Sequence, residues 1–495
     1  MPLDASKTGS PEWWMNRLAM QLQRDQRRFR VLEAYRSGRP PLAWGSDNLQ
    51  SKFYRFQATS RTNFADTIVE APCQRIGLRS IATAADSDEN GDQAAWELLK
   101  ANGFLSGLGN LTRWSKTFGR AYIATAAPVA PGGVAVVTVE DPRQMITEPH
   151  PLIPFAQRAA FKLYYDVESN QDIAILWLPG EKWVATREHK GPVRQTRSAI
   201  VMGSPEPVPV RFTPGSFTML PQRAEGDDPE ALRSETYDDQ EIPVDVVDNK
   251  GGVGEFELHT DLLDRINHMI LMRVVIATLQ AFRQKALKQS TDSGVEQLPE
   301  RDEAGNLIDY SDVFESGPDA VWLLPPGAEL WESAQADLQG ILSAVKDDVL
   351  HLSATTFTPM SMFTPDAAAQ TAEGAQLMRE SLVFKVEDWE AAAEMPIARA
   401  VARAFRYMGD DSRGEAAKIG VAWKPAERYS LAEMGSAASQ VGGTLTWEQT
   451  QELVWQQTPS QIEQAKTQRT QDLVLAQQQA TLKAAQLNAL GYQAG

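Results

Sequence analysis

Residues Leu258 to Leu287 place apolar side chains at Leu262, Ile266, Ile270 and Val274, then at Val275, Leu279, Phe282 and Ala286. Spacings of three and four mark one face of a helix. They predict a helix of roughly 30 residues, about 45 Å long at 1.5 Å per residue. Both of its flanks are polar, and a helix of that length cannot bury itself inside a small globule. The next stretch, Ser290 to Pro326, is enriched in Asp, Glu, Gly and Pro, with a strand predicted at Ala320 to Leu324. A helix is predicted from Ala336 to Leu352. Ser353 to Gln370 then breaks the pattern with Thr, Ser, Met, Pro359 and Pro365. A longer helix, Thr371 to Tyr407, sets Met378, Leu382, Val386, Trp389 and Ala393 on one face, and Pro396 is expected to kink it.

The first half of the chain reads differently. Helices are predicted at Glu12 to Tyr35, closed by Gly38-Arg39-Pro40-Pro41, at Asn63 to Arg75, at Asp92 to Asn102 and around Leu111 to Phe118. Short β-rich runs follow at Ala121 to Ala126, Val134 to Glu140, Phe161 to Asp166, Ile173 to Leu178 and Lys182 to Thr186, separated by Gly, Pro, Asn and Asp. Gly203 to Gln240, rich in Pro, Asp and Glu, reads as a long, partly mobile loop. After the long helix, Ile419 to Trp423 reads as one strand. Three capping-box pairs then follow: Ser430 with Glu433, Thr446 with Gln449, and Thr458 with Gln461. Pro459 suits a first helical position, and a Gln- and Ala-rich helix is expected from Gln461 to about Leu490.

The totals narrow the function classes. With 495 residues and a hydrophobic fraction of 42%, the chain can bury a core without a disulfide or metal staple. The single cysteine, Cys73, excludes an intrachain disulfide and a cysteine-based zinc site, and reads as a small buried hydrophobe. A net charge of −17 is unlike that of a repressor or nuclease, whose affinity comes from a basic face. The N-terminal residues lack a signal-peptide pattern. The most apolar run, Met269 to Phe282, is interrupted by Arg273 and falls short of the ~20 residues a membrane span needs. A protein free of membrane and secretion signals is expected.

Catalytic constellations are not found. The histidines, His150, His189, His259, His268 and His351, show no ligand spacing. Gly251-Gly252-Val253-Gly254 lacks the Gly-Lys-Ser/Thr of a phosphate loop and reads as a bend into the long helix. No catalytic residue, metal or cofactor is expected.

The order of elements resembles the portal proteins of long-tailed bacteriophages, of the branch typical of actinobacterial phages. The likeness is spread over the chain. Tyr35-Arg36-Ser37-Gly38-Arg39-Pro40-Pro41-Leu42 and Asn63 to Ala71 resemble the family's early segments. Gly119-Arg120-Ala121-Tyr122-Ile123 is similar to its "Gly-x-Ala-Tyr" strand, and Glu140-Asp141-Pro142 to its "Asp-Pro" turn. Thr371-Ala372-Glu373-Gly374, with Leu377, Glu380 and Phe384-Lys385-Val386-Glu387, resembles its "Ser-Ala-Glu-Ala-Leu" helix, Gly374 departing from the usual alanine. Val421-Ala422-Trp423-Lys424-Pro425 is similar to the strand before its capped tail.

The resemblance implies a portal fold: an α+β wing domain, a long-helix stem, a small α/β clip and an all-α crown. The wing would span residues 1–255 and 371–427, the stem helices 256–289 and 333–352, the clip 290–332, the tunnel loop 353–370 and the crown 428–495. It implies a homo-oligomeric ring of twelve subunits at the capsid vertex, assembled in the host cytoplasm. DNA would enter and leave through the ring. Implied partners are the large terminase, a head-completion or adaptor protein, the major capsid and scaffolding proteins, and double-stranded DNA passing non-specifically.

In the tunnel loop, Thr355, Thr356, Thr358, Met360, Ser361, Met362 and Thr364, with no Lys or Arg among them, would touch a moving duplex without gripping it. The alternative is a plain helix connector, for which about 18 residues is long. In the stem, Arg265, Arg273, Arg283, Lys285 and Lys288 with Asp261, Asp264, Asp347 and Asp348 could face the channel, pair between subunits or be solvated. Two other functions stay open at this stage: another phage head or adaptor protein, and an unrecognised enzyme in the wing.

Overall fold

The computed structural model describes residues 5–41, 57–83, 85, 91–130, 132–153, 156–191, 207–224, 226–228, 231–237, 240–281, 285–289, 301, 304–305, 307, 328–332, 338–364, 372–427, 431–441, 443–457 and 459–489. Contacts gather into two compact units. The first holds Met1–Pro41, Asn63–Leu263 and His351–Gly495, and the second Leu42–Thr62 and Asp264–Leu350.

In the first unit, α1 (Pro11–Arg36) starts where Ser10 accepts a hydrogen bond from the Trp13 N–H, with proline at the first helical position. Its apolar stripe, Trp14, Met15, Leu18 and Leu22, lies on one face of an antiparallel sheet formed by β4 (Met145–Pro149), β5 (Gln157–Asp166), β6 (Gln171–Leu178), β7 (Glu181–Glu188) and β8 (Thr218–Met219). That face supplies Phe161, Leu163, Leu176 and Ala185. A short β9 (Glu235–Thr236) also pairs with β7. Parts of the 203–240 region are thus ordered onto a sheet edge rather than looped. Ser234 supports this placement, accepting from the Val184 N–H at 3.1 Å and donating to the Leu220 carbonyl at 2.8 Å.

A second core is built from β1 (Leu78–Ala82), α3 (Gln93–Ala101), α4 (Phe104–Phe118), β2 (Arg120–Ala126), β3 (Val136–Glu140), β10 (Val244–Asp248), α7 (Ala372–Tyr407) and β13 (Gly420–Trp423), and α2 (Phe64–Cys73) packs against α4 and α7. The strands form a three-stranded sheet in the order β10-β2-β3 and a β1–β13 pair. Asn102 serves the edge of β3 as a strand would, accepting from the Val137 N–H and donating to the Ala135 carbonyl. The 36-residue α7 continues through Pro396. Its buried Trp389, Ala393, Ile397, Ala400, Val401 and Ala404 join this core, and the alanines allow close backbone approach.

On the same helix Glu390 is only 7% exposed, and its Oε1 lacks a hydrogen-bond partner among the described residues. Burial, reinforced by Glu387, pushes its carboxyl up to about 8. The fold therefore favours the protonated form. Its contribution is full below the ordinary value of 4.5 and is lost as pH rises from there to about 8. Glu390→Gln should flatten that slope and stabilise the chain at pH 8 by about 1–2 kcal/mol. Chemical denaturation at pH 5 and pH 8 checks this, and an unchanged slope would refute it.

Beyond β13 lie α8 (Leu431–Val441), a turn at Trp447–Gln449 and α9 (Pro459–Ala489). The expected capping box of Thr446 and Gln449 is present, but it opens only a three-residue helical turn followed by a π-turn. Ser430 and Thr458 lie outside the described residues. Helix α9 runs 31 residues, and every position from 467 to 482 is exposed.

The second unit contains most of α5 (Thr260–Ala281) and α6 (Leu338–Thr355), with a hairpin of β11 (Lys285–Gln289) and β12 (Ala328–Glu332). The single helix expected from Leu258 to Leu287 is therefore corrected. It is 22 residues, about 33 Å, and Ala286 and Leu287 are strand residues opposite Trp331 and Leu330. A short run of apolar positions fits either period, and pairing with a distant strand decides it. The strand expected at Ala320 to Leu324 and nearly all of the 290–326 segment lie outside the described residues. Within this unit Asn267 Oδ1 accepts from both the N–H and the hydroxyl of Thr62, each at 2.9 Å. No helix among the described residues is long and apolar enough to cross a membrane.

Candidate functional site

The glycine-rich bend lies against the end of α4. That helix stops at Gly119, whose φ of +91° is outside the range of L side chains. A Cβ at Gly119 would lie 2.2 Å from the Gly252 carbonyl oxygen, and one at Gly254 would lie 2.2 Å from that of Thr117. Only glycine permits this approach. It lets the bend satisfy carbonyls that a helix end leaves without partners. The Asn249 N–H donates to Gly119 O at 2.8 Å, and the Glu255 N–H to Lys116 O at 2.7 Å.

The Glu255 carboxylate is thereby brought into the interior between two lysines, 3.1 Å from Lys116 Nζ and 2.7 Å from Lys385 Nζ. All three side chains are largely buried. Burial alone would raise the Glu255 carboxyl, but the two ammonium groups and their hydrogen bonds hold it below its ordinary value. Lys385 also donates to the Thr356 carbonyl at 2.8 Å, at the end of α6.

That helix end is a Schellman turn without glycine. The Thr358 N–H reaches Ser353 O at 3.1 Å while Phe357 takes φ +51°. Ser353 Oγ donates to Thr358 O and Thr356 Oγ to Leu352 O, both at 2.7 Å. A 3₁₀ turn, Met360–Met362, follows, and Phe363 meets Phe64 edge to face at 5.4 Å.

These contacts divide the seven residues singled out from sequence. Thr356 and Thr358 are buried with their hydroxyls bonded to their own chain, so this conformation does not offer them to an outside molecule. Thr355 ends α6, exposed, with its hydroxyl on His351 O. Ser361 and Met362 are exposed, while Met360 and Thr364 are half-buried. Residues 365–370 of the expected loop lie outside the described residues. Phe357 was not singled out, yet it is 58% exposed. The only sequence signal for it was an aromatic residue between two threonines in a connector rich in Thr and Met.

Of the charges in the predicted stem helices, Arg265 and Asp348 form an ion pair at 2.7 Å, joining α5 to α6 within one chain. Asp261, Asp264 and Asp347 are exposed and Arg273 is half-buried. Arg283 lies outside the described residues. Lys285 and Lys288 fall on β11 rather than on a helix.

No group of His, Cys, Asp and Glu among the described residues is arranged to hold a metal ion. Cys73 is half-buried, and burial, with Glu70 nearby, pushes its thiol up to about 12. A cavity of about 680 Å³ is lined by residues including Thr138, Trp177 and Tyr237. Charges in its wall pair with each other, Lys162 with Glu140 at 2.6 Å and Lys182 with Glu235 at 3.3 Å.

No family model and no curated protein matches the chain. Among solved structures it is similar to the neck of an empty GTA particle computed with C6 symmetry, at 13% identity and TM-score 0.38, over 84% of this chain and 95% of that one. The neck of the native GTA particle computed with C12 symmetry gives 13% identity and TM-score 0.35 over the same shares.

Proposed function

We propose that the chain is a portal-type subunit of a tailed-phage particle, of the kind its sequence resembles. Copies would close head to tail into a ring of twelve, and double-stranded DNA would pass through the ring into and out of the capsid. Heterologous interfaces that close by rotation generate such a ring. The chain would act by geometry and not by catalysis. Hydrolysis would belong to a terminase docked on the segment between β11 and β12, where a head-completion or adaptor protein would later bind. The capsid and scaffolding proteins would surround the ring.

The observation that carries this reading is the path of the chain. Helix α5 leads from the first unit into a second, which holds the β11–β12 hairpin, and α6 leads back. The return ends in a segment that exposes Phe357 and Met362 and precedes α7 in the chain. The exposed length of α9 adds support. A helix of about 46 Å that is exposed at every position from 467 to 482 gains its stability from packing, which a neighbouring copy in a ring would supply.

Native mass spectrometry of the purified chain tests the assembly. Twelve copies of 54.7 kDa give a particle of about 656 kDa. A spectrum holding only monomers and dimers at micromolar concentration would contradict the proposal. It would favour a different head or adaptor protein.

A further inference from the structure

We propose that Lys116, Glu255 and Lys385 form a buried latch that positions the 356–364 segment, with Lys385 as its moving arm. This deepens the reading of that segment as the part that meets DNA, and its functional meaning rests on that reading.

Two of the three members belong to one rigid block. Lys116 lies in the last turn of α4, and Glu255 is tied to that turn by its own backbone N–H. The glycine contacts beneath them leave no room for the bend to slide. Lys385 arrives from α7 and spans the distance between the Glu255 carboxylate and the Thr356 carbonyl. That carbonyl lies at the C-terminal end of α6, where acceptors lack helical partners and a cation is favoured. The ammonium therefore caps one helix while bonded to a carboxylate fixed on another.

The residue next to the capped carbonyl is Phe357, left-handed and exposed. A non-glycine residue keeps that conformation only where its surroundings hold it. Thr356 is held by Lys385 on one side, and Phe363 is held against Phe64 on the other. Between these ties stand Phe357, Ser361 and Met362, the exposed part of the segment. Phe384, next to Lys385 on α7, is also exposed. Release of the lysine would free one end of this stretch while leaving the α4 block intact.

The charges make the arm separable from the fold. Without Lys385, Glu255 and Lys116 remain a balanced pair. Without the Glu255 charge, two ammonium groups face each other with no counter-ion. Lys385→Met keeps the apolar stem, so the chain should fold with its Tm within a few degrees of the parent.

Hydrogen exchange on the full chain, followed by mass spectrometry, reads the latch. In Lys385→Met, peptides covering 356–364 should exchange at least about tenfold faster, equivalent to ~1.4 kcal/mol of local opening. Peptides from β6 should be unchanged. Lys385→Leu, which also removes only the arm, should give the same local pattern, and it serves as the reading if the first variant does not fold. Unchanged protection at 356–364 would overturn the proposal. So would a uniform rise across the molecule, or failure of both variants to fold, because either assigns the lysine to global stability. The measurement uses the free chain. A negative result would leave the ring reading standing, and an absence of rings would leave the latch standing.

Discussion

Asp245→Ala should destabilise the first unit by about 3–5 kcal/mol, the cost of removing one partner from a buried ion pair. Asp245 lies on β10 with 5% of its surface exposed. Its carboxylate is 2.7 Å from Arg403 Nη1 on α7, and Arg403 is 2% exposed. Burial of the carboxylate is tolerable because the guanidinium faces it. The reverse also holds, since the other acidic group near Arg403, Glu241, is 3.6 Å away and largely solvated. Alanine would leave a guanidinium inside the protein with one solvated counter-ion. Asp245→Leu combined with Arg403→Met removes both charges and should recover most of the loss, because apolar groups of similar volume can replace a buried pair at little cost. Chemical denaturation of the single and double variants separates the two effects. A single-variant loss below about 1 kcal/mol would show that water reaches the pair.

The second large effect is expected at Gly119. Gly119→Ala forces a side chain onto a φ of +91°, where L residues are strained by about 1–2 kcal/mol. It also drives a Cβ to 2.2 Å from a backbone oxygen that cannot rotate away. The bend must then lift from α4, weakening the Asn249 and Glu255 backbone bonds. The total should be about 3 kcal/mol or more. Gly103 provides the control. Its φ is +62°, but nothing lies within 4 Å of its would-be Cβ, so Gly103→Ala should cost only the left-handed strain. Equal losses at the two positions would mean that the bend accommodates the methyl group.

How much of this was legible in the sequence follows from the range of each interaction. Helix α7 could be read because its apolar residues keep their spacing over its length, and α1 because its far end carries Gly38-Arg39-Pro40-Pro41. The β1 strand, Leu78-Arg79-Ser80-Ile81-Ala82, has no alternation of its own. It is a strand because Gly420–Trp423, far along the chain, pairs with it. The far end of α5 was misread for the same reason.

At the site, the threonines and methionines marked a distinctive segment, but residue type does not set direction. Thr356 and Thr358 turn inward to bond the helix end, and Phe357 turns outward. The three latch residues are each more than a hundred positions from the next. A lysine or glutamate read alone belongs on the surface. The hints were local: Lys116 sits in an otherwise buried helix turn, and Lys385 stands between Phe384 and Val386 on an amphipathic helix.

Electron microscopy of the purified full-length chain, classified for end-on views, tests the central claim most directly. The account predicts toroids of twelve-fold symmetry with a central hole wide enough for a DNA duplex. Compact particles without a hole, or only monomers and dimers at high concentration, would contradict it.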